Sequence, residues 1–395
     1  MSAPASTVAP GTAVPKSQKA RLQIDPSVVM LTGVLLLLGI MMVGSASVAL
    51  AAKEGFAFSF FVKQFLFGIV GIVCAAAVMR VPTEYWQKNA YVLLGISLML
   101  LVLVLIPGVG AKVNGSRRWL HFFGGNFQAS EASRVLILIY LCSYLVRREQ
   151  EIRTTLMGLL KPLAMLGAAA LLLLAEPDLG AGVVIMFTGI FLLFLAGAQL
   201  RYILGIAVVV ALPVAAIIRL TPWRWERLIS FLDPWKDPER TGYQLTQALM
   251  AIGRGEWFGV GLGGSVQKLL WLPEAHTDFV FSVYAEELGF VAVLVLILLF
   301  LALAYRALVI ARNAADAGLK FQSYIAASFG VWLALQAFIN MAVNMGALPT
   351  KGLTLPLLSY GRSSLVMTLI WVGMVLRVHH ETQSSRAVAI RGSAR

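Results

Sequence analysis

Long apolar runs separated by short polar breaks dominate this chain. Runs near the roughly 20 residues that a bilayer-spanning helix needs fall at 28–51, 58–79, 90–107, 130–146, 161–175, 181–198, 202–219, 286–305, 322–346 and 357–377. One such run is compatible with a buried core helix. Ten in 395 residues are not, because no soluble core of that length buries so much apolar surface. The pattern predicts an all-α polytopic membrane protein with about ten transmembrane helices in one membrane domain over 25–380, flanked by polar tails at 1–24 and 381–395. The first tail is rich in Ala, Ser, Thr and Pro, which predicts disorder. The first apolar run begins only at about Val28 and is long enough to span, so it is a membrane helix and not a cleavable signal peptide.

The polar breaks set orientation, because short loops rich in Lys and Arg stay cytoplasmic. Such clusters occur before the first run (Lys16, Lys19, Arg21), at 147–161, at 306–320 and from Arg377 onward. An even number of spans with both termini inside satisfies all four. The segment from about 220 to 285 is then the one long loop, and it is extracytoplasmic. Trp223, Trp225, Trp235, Trp257 and Trp271 recur there among Arg and Lys. Trp favours the headgroup level, so this loop predicts short interfacial helices on the outer leaflet. The loop 108–129 breaks the charge rule, since Lys112, Arg117 and Arg118 lie outside. Cations placed there suggest an anionic partner. No internal repeat of the kind found in inverted transporter halves is visible.

Composition sharpens the class. The chain is 59% hydrophobic and 13% charged, with mean hydropathy +0.82. Soluble domains are nearer half apolar and a quarter charged. A net charge of +13 would suggest nucleic acid in a soluble protein. Here it places basic loops against anionic lipid heads, and no nucleic-acid partner is predicted. Cys74 and Cys142 both fall inside apolar runs and provide neither a disulfide framework nor a zinc site.

Against this background the stretch LPEAHTDFVFSVYAEE, Leu272 to Glu287, stands out, because it gathers Glu274, His276, Asp278, Glu286 and Glu287 at a lipid–water boundary. Ionisable groups beside a membrane are expensive and mark function by default. Asp278 is a candidate general base, and equally a candidate N-cap for a helix starting near Phe279. Glu286 and Glu287 read as partners of a basic residue or as acids at a helix N-terminus rather than as catalytic groups. Glu131 and Arg134, three residues apart, share one helix face as a structural ion pair or as a site pair. Glu176-Pro177-Asp178 reads as an outer turn.

Four stretches carry a resemblance that extends over about 25–380. They are NGSRRWLHF (Asn114–Phe122), EPDLGAG (Glu176–Gly182), GVGLGGSVQKLLWLPEAHTDFVFSVYAEELGF (Gly259–Phe290) and NMGALPTKGLTLPLLSYGRSSL (Asn344–Leu365). Together they resemble the SEDS family of bacterial cell-wall proteins (shape, elongation, division, sporulation). The SVQKL, LPEAHTDF and PTKGLTLP wording resembles the division branch more than the elongation branch. One departure is visible: where the family has SYGGSS, this chain has SYGRSS, with Arg362 in place of a Gly. The turn therefore cannot depend on Gly-only backbone angles at that position.

The resemblance implies a peptidoglycan glycosyltransferase that polymerises lipid II, an undecaprenyl-diphosphate disaccharide-pentapeptide, on the outer face of the cytoplasmic (inner) membrane during septal cell-wall synthesis. It implies a class B penicillin-binding protein of the FtsI type as transpeptidase partner, and other division proteins of the FtsQ, FtsL, FtsB and FtsN types. It carries the family's HTD acid onto Asp278 as catalytic base. Substrate-binding candidates are Arg117 and Arg118, whose guanidinium groups suit a diphosphate, Trp119, whose ring could stack on a sugar, and Glu131, Arg134, His276, Lys351, Ser359 and Arg362. Inverting sugar transfer needs one carboxylate as base. The diphosphate leaving group is already an anion and needs charge neutralisation more than a proton. No cofactor is firmly implied, and Mg2+ or Mn2+ bridging diphosphate and carboxylate stays open. Two other functions stay open on sequence alone. A lipid II flippase needs charged groups along a path through the bilayer, and a non-catalytic divisome scaffold needs only packing surfaces. Acids clustered on one side favour the enzyme.

Overall fold

Each of the ten apolar runs is a helix in the computed structural model, which describes residues 22–53, 55–113, 116–122, 125–350 and 352–393. The predicted disordered tail lies, up to residue 21, outside the described residues. The helices matching the runs are α1 (Pro26–Lys53), α2 (Ser59–Met79), α4 (Ala90–Leu105), α5 (Ala129–Arg147), α7 (Leu156–Ala175), α8 (Leu179–Leu195), α9 (Leu200–Leu220), α12 (Val280–Asp316), α13 (Lys320–Asn344) and α14 (Arg362–Ser393). Among the described residues, seven of them are long and apolar enough to cross a membrane, and α4 and α8 are shorter apolar helices. Short helices α3 (Thr83–Lys88) and α6 (Glu149–Thr154) fill connections at one end of the bundle. The long loop holds α10 (Pro222–Ser230), a 3-10 turn at Pro234–Lys236 and α11 (Tyr243–Arg254), as its Trp/Arg pattern predicted. Trp235, Trp257 and Trp271 are exposed.

Boundaries moved where charge interrupts an apolar run without interrupting a helix. Helix α7 starts five residues before the predicted 161, because Lys161 reaches out to Glu151 (3.6 Å) and Thr155 caps the Gly158 amide (3.1 Å). Helix α14 starts five residues after the predicted 357: a turn at residues 356–358 precedes it, with Leu357 at φ 64° and the Ser359 hydroxyl accepting the Leu355 amide at 2.7 Å. Hydropathy also missed a three-stranded antiparallel sheet, β1 (Gly110–Val113), β2 (Ser116–Phe122) and β3 (Gly125–Gln128). Leu120 pairs with Gly110 on one side and Phe127 on the other. The Asn114-Gly115 dipeptide between the first two strands is a strong hairpin signal that a search for spans passes over.

The core is aromatic at its centre. Trp332 of α13 stacks on Trp371 of α14 at 4.9 Å, and Phe329 meets the Trp371 ring edge-on at 5.7 Å. At the bundle end holding α3 and α6, Arg306 clasps the buried Asp25 through two bonds of 2.6 and 3.0 Å, and Lys320 pairs with Glu149 at 2.6 Å.

Helix α12 is not continuous. Gly289 adopts φ 76°, ψ −178°, which only Gly tolerates, and breaks the helix near its start. The long loop seals the break. Val260 and Gly261 amides donate to the Glu286 and Glu287 carbonyls (3.0 Å each), and Phe290 and Val291 amides donate to the Glu256 and Trp257 carbonyls (2.8 and 3.2 Å). A Cβ on Gly289 would stand 2.3 Å from the Gly259 nitrogen, so the two segments meet at backbone distance. Two carboxylates rivet this joint, in agreement with the sequence reading. Glu286 accepts from Arg254 (3.1 Å), Ser265 (2.5 Å) and the Val266 amide (3.0 Å). Glu287 accepts from Lys268 (2.7 Å) and from Ser45 of α1 (2.7 Å).

Lys268 and Glu287 are both buried, so removing one partner leaves the other charge uncompensated. Lys268→Ala should lower stability by about 3–5 kcal/mol, read as a large fall in thermal midpoint of the purified protein. The double change Lys268→Met, Glu287→Leu should recover most of it, because an apolar pair of similar volume carries no desolvation cost.

Candidate active site

Asp278 closes the long loop two positions before α12 begins, and its side chain is half-buried. The N-cap position belongs to Phe279, which makes no side-chain capping bond. The geometry therefore does not give Asp278 the capping role. Its main-chain carbonyl accepts two amide bonds from α13, Asn340 Nδ2 at 2.9 Å and Asn344 Nδ2 at 3.0 Å. Its carboxylate abuts Gly352, where an added Cβ would stand 3.0 Å from Oδ2. The preceding turn is closed by Glu274, whose carboxylate accepts from Thr277 at 2.6 Å and whose carbonyl accepts the Phe279 amide at 3.2 Å. The His276 ring packs edge-on to Phe60 of α2 at 4.9 Å and against Tyr360 at 5.6 Å. The Tyr360 amide donates to the His276 carbonyl at 2.9 Å. His276 thus joins the 272–279 loop to the 345–361 loop.

A second polar group lies deeper. Glu131, in the first turn of α5, and Arg134 form a buried ion pair. Arg134 also donates to Gln336 Oε1 at 2.8 Å, and its guanidinium lies 4.7 Å from the Trp332 ring centre. Ser364 of α14 stands beside Glu131. Asp178 caps α8 at the Ala181 amide (3.2 Å) and accepts from Ser130 (3.2 Å) and Gln128 (3.3 Å). Helix α13 links the two groups. Trp332, Gln336, Asn340 and Asn344 recur every four residues and so line one face. Gln336 and Asn340 donate to successive carbonyls of the 345–361 loop, Thr354 at 2.9 Å and Leu353 at 2.6 Å. One hydrogen-bonded column therefore runs from Glu131–Arg134 to Asp278.

The remaining sequence candidates divide. Arg118 spends its guanidinium on two turn carbonyls, Glu176 at 3.1 Å and Pro177 at 2.5 Å, and so locks the α7–α8 turn to β2. The side chain of Arg117, next to it on β2, makes no hydrogen bond or ion pair among the described residues and is half-exposed; Trp119 is likewise half-buried on β2. The Ser359 hydroxyl is buried and shapes its own loop, while its carbonyl accepts from Gln64 at 3.1 Å. Arg362 is the first residue of α14, with its guanidinium 5.8 Å from the Phe67 ring centre. The chain does not take positive φ there, which is why Arg can replace Gly without strain. Lys351 lies outside the described residues. Sequence reasoning missed Gln336, Asn340, Asn344 and Ser364. The usable signal was three amide side chains at four-residue spacing inside the run 322–346.

Glu176 is fully buried, and neither carboxylate oxygen has a hydrogen-bond partner among the described residues. Burial, reinforced by the Asp178 charge and opposed by Arg118, pushes its pKa from 4.5 up to about 8. The raised value means the folded protein holds a proton that the unfolded chain releases. The stabilising contribution is complete below about pH 4.5 and is lost as pH rises through about 8. Glu176→Gln keeps the shape and removes the ionisation. Its thermal midpoint should vary less between pH 5 and pH 9 than that of the unsubstituted protein, and should exceed it above pH 8. Parallel profiles would remove Glu176 as the titrating group.

The geometry is matched by known proteins. The profile of a family described as cell cycle protein, FtsW/RodA/SpoVE, matches residues 26–384. A probable peptidoglycan glycosyltransferase FtsW of Thioalkalivibrio sulfidiphilus is 50% identical over 370 residues, spanning 93% of this chain and 92% of that one. A protein of the same description from Nitrosomonas europaea is 45% identical, over 96% of this chain and 98% of that one. Among solved structures, a chain from work on the coordination of polymerization and crosslinking by a peptidoglycan synthase complex is 31% identical, with TM-score 0.77 over 91% of this chain and 99% of that one. The rod shape determining protein RodA of Thermus thermophilus is 28% identical, with TM-score 0.68 over 91% of this chain and 98% of that one. This chain belongs to the FtsW/RodA/SpoVE family of cell cycle proteins.

Proposed function

We propose that this chain polymerises lipid II at the extracytoplasmic end of its helix bundle, with Asp278 as general base. The chain is a multi-pass membrane protein and a peptidoglycan glycosyltransferase of cell division. The observation that carries the mechanism is the placement of the Asp278 carboxylate against Gly352, in the loop that also contacts Glu131–Arg134 through Gln336. Asp278 takes the proton from the acceptor sugar hydroxyl as that oxygen attacks the anomeric carbon of the donor. The bond from that carbon to the diphosphate breaks, the configuration inverts, and undecaprenyl diphosphate leaves with the electron pair. Arg117, Lys351 and Arg362 neutralise the departing diphosphate. Arg118 supports by fixing the α7–α8 turn to β2, the strand that carries Arg117. His276 and Ser359 hold the loops in register, and Glu131 and Arg134 form the polar floor.

The position of the acids supports an enzyme over a flippase. Glu131 opens α5, Glu176 and Asp178 lie between α7 and α8, and Asp278 precedes α12. These are helix ends at one end of the bundle. A transport route needs such groups spread through the depth of the bilayer. The same reading places both termini in the cytoplasm, the protein at the division septum, and a class B penicillin-binding protein beside it to crosslink the strands. Among the described residues no group of three or more His, Cys, Asp or Glu converges as a preformed metal site.

Asp278→Asn removes the proton acceptor and keeps the shape. Glycan-strand formation from purified lipid II should fall about 10²- to 10⁴-fold, with the protein still monodisperse. Normal strands on a gel would refute the base assignment. Arg117→Ala should reduce lipid II turnover by about tenfold or more, the value of one charge-assisted contact, while leaving the melting temperature unchanged. A wild-type rate would reduce Arg117 to an interfacial anchor.

A further inference from the structure

We propose that Asn340 is a positioning residue that sets where the Asp278 carboxylate stands against the 345–361 loop. The proposal rests on the general-base reading of Asp278. Asn340 is 2% exposed, and its one amide group donates both hydrogens to main-chain carbonyls from different loops, Asp278 at 2.9 Å and Leu353 at 2.6 Å. Its orientation follows from chemistry: both partners only accept, so the NH2 must face them. The two loops are far apart in sequence, and this side chain is a single bolt through both. Asn344 sits one turn further along α13 and completes the clamp. It donates to the Asp278 carbonyl at 3.0 Å and to the Asn340 carbonyl at 2.9 Å, and accepts from Ser282 of α12 at 2.7 Å.

The clamp matters because of what it holds in contact. The Asp278 carboxylate lies directly beside the opposing loop: a Cβ built on Gly352 would stand 3.0 Å from Oδ2 and 3.8 Å from Cγ. Asp278 is fixed through its main chain, so the point from which its carboxylate projects cannot drift. A misplacement of about 1 Å in a reacting group costs on the order of 10²-fold in rate. Asn340 touches neither the Asp278 carboxylate nor a reacting atom. It acts through backbone position alone.

The test compares purified full-length proteins on lipid II. Asn340→Ala should lower kcat by about 10²-fold with KM changed less than about threefold. Asn340→Gln, which keeps the amide one methylene further out, should restore part of the rate. Combined with Asp278→Asn, Asn340→Ala should add less than about twofold, because a positioning residue has nothing left to position. An unchanged kcat, or losses that multiply, would overturn the proposal. Geometry is read separately by a disulfide between Asp278→Cys and Gly352→Cys in a Cys74→Ser, Cys142→Ala background. Its yield on mild oxidation should fall about tenfold when Asn340→Ala is added, and an unchanged yield also overturns the clamp. If Asp278→Asn itself polymerises normally, the base reading fails alone, and the disulfide yield still decides whether Asn340 holds the loops together. Should Asn340→Ala not fold, Asn344→Ala carries the same measurements with about a tenfold loss expected. It removes one bond to Asp278 and leaves the bond to Leu353.

Discussion

Backbone groups inside an apolar protein must find hydrogen-bond partners from the chain itself, because neither lipid nor a packed core supplies them. That constraint shapes the Asp278 end of this molecule. Helix α12 breaks at Gly289, and the break frees carbonyls and amides beside its first turns. The long loop is drawn in to satisfy them, residue for residue, from Glu256 to Gly261. Once the loop is held there, Glu286 and Glu287 find their basic partners on it, and the chain from Lys268 to Asp278 has only a short path back to the start of α12. The location of Asp278 follows from a hydrogen-bonding debt incurred eleven positions further along the chain.

The same rule explains the polar face of α13. Amide side chains buried in a membrane helix are tolerated only where they satisfy other groups. Gln336, Asn340 and Asn344 meet that condition by binding carbonyls of two irregular loops that have no secondary structure of their own. The loops gain order and the amides gain partners. The stacked Trp332 and Trp371 make that helix a rigid mount for the column, with Arg134 lying over the Trp332 ring. Two acids sit at the margins of this arrangement in opposite conditions. Asp178 is fully engaged as a cap and acceptor, whereas Glu176, two residues earlier, is buried without a hydrogen-bond partner among the described residues and retains its proton at neutral pH.

The ten helices and the short helices of the long loop were legible in the sequence. Length and hydropathy suffice to specify membrane helices, since the bilayer rewards one periodicity and one length. The pairing of Glu286 and Glu287 with basic residues was legible as well, because a buried carboxylate needs a cation. What the sequence alone could not decide was which residue pairs with which. Arg118 looked as suitable for a diphosphate as Arg117, and only the approach of the α7–α8 turn shows its guanidinium occupied by carbonyls. Asp278 looked like an N-cap, and only the observed start of α12 moves that position to Phe279. Asn340 is one polar residue in an apolar run, and its two carbonyl partners appear only when two loops more than sixty residues apart meet on it. Hydropathy is a property of each segment by itself. Hydrogen-bond partnership depends on distances between segments, and those exist only in the folded chain.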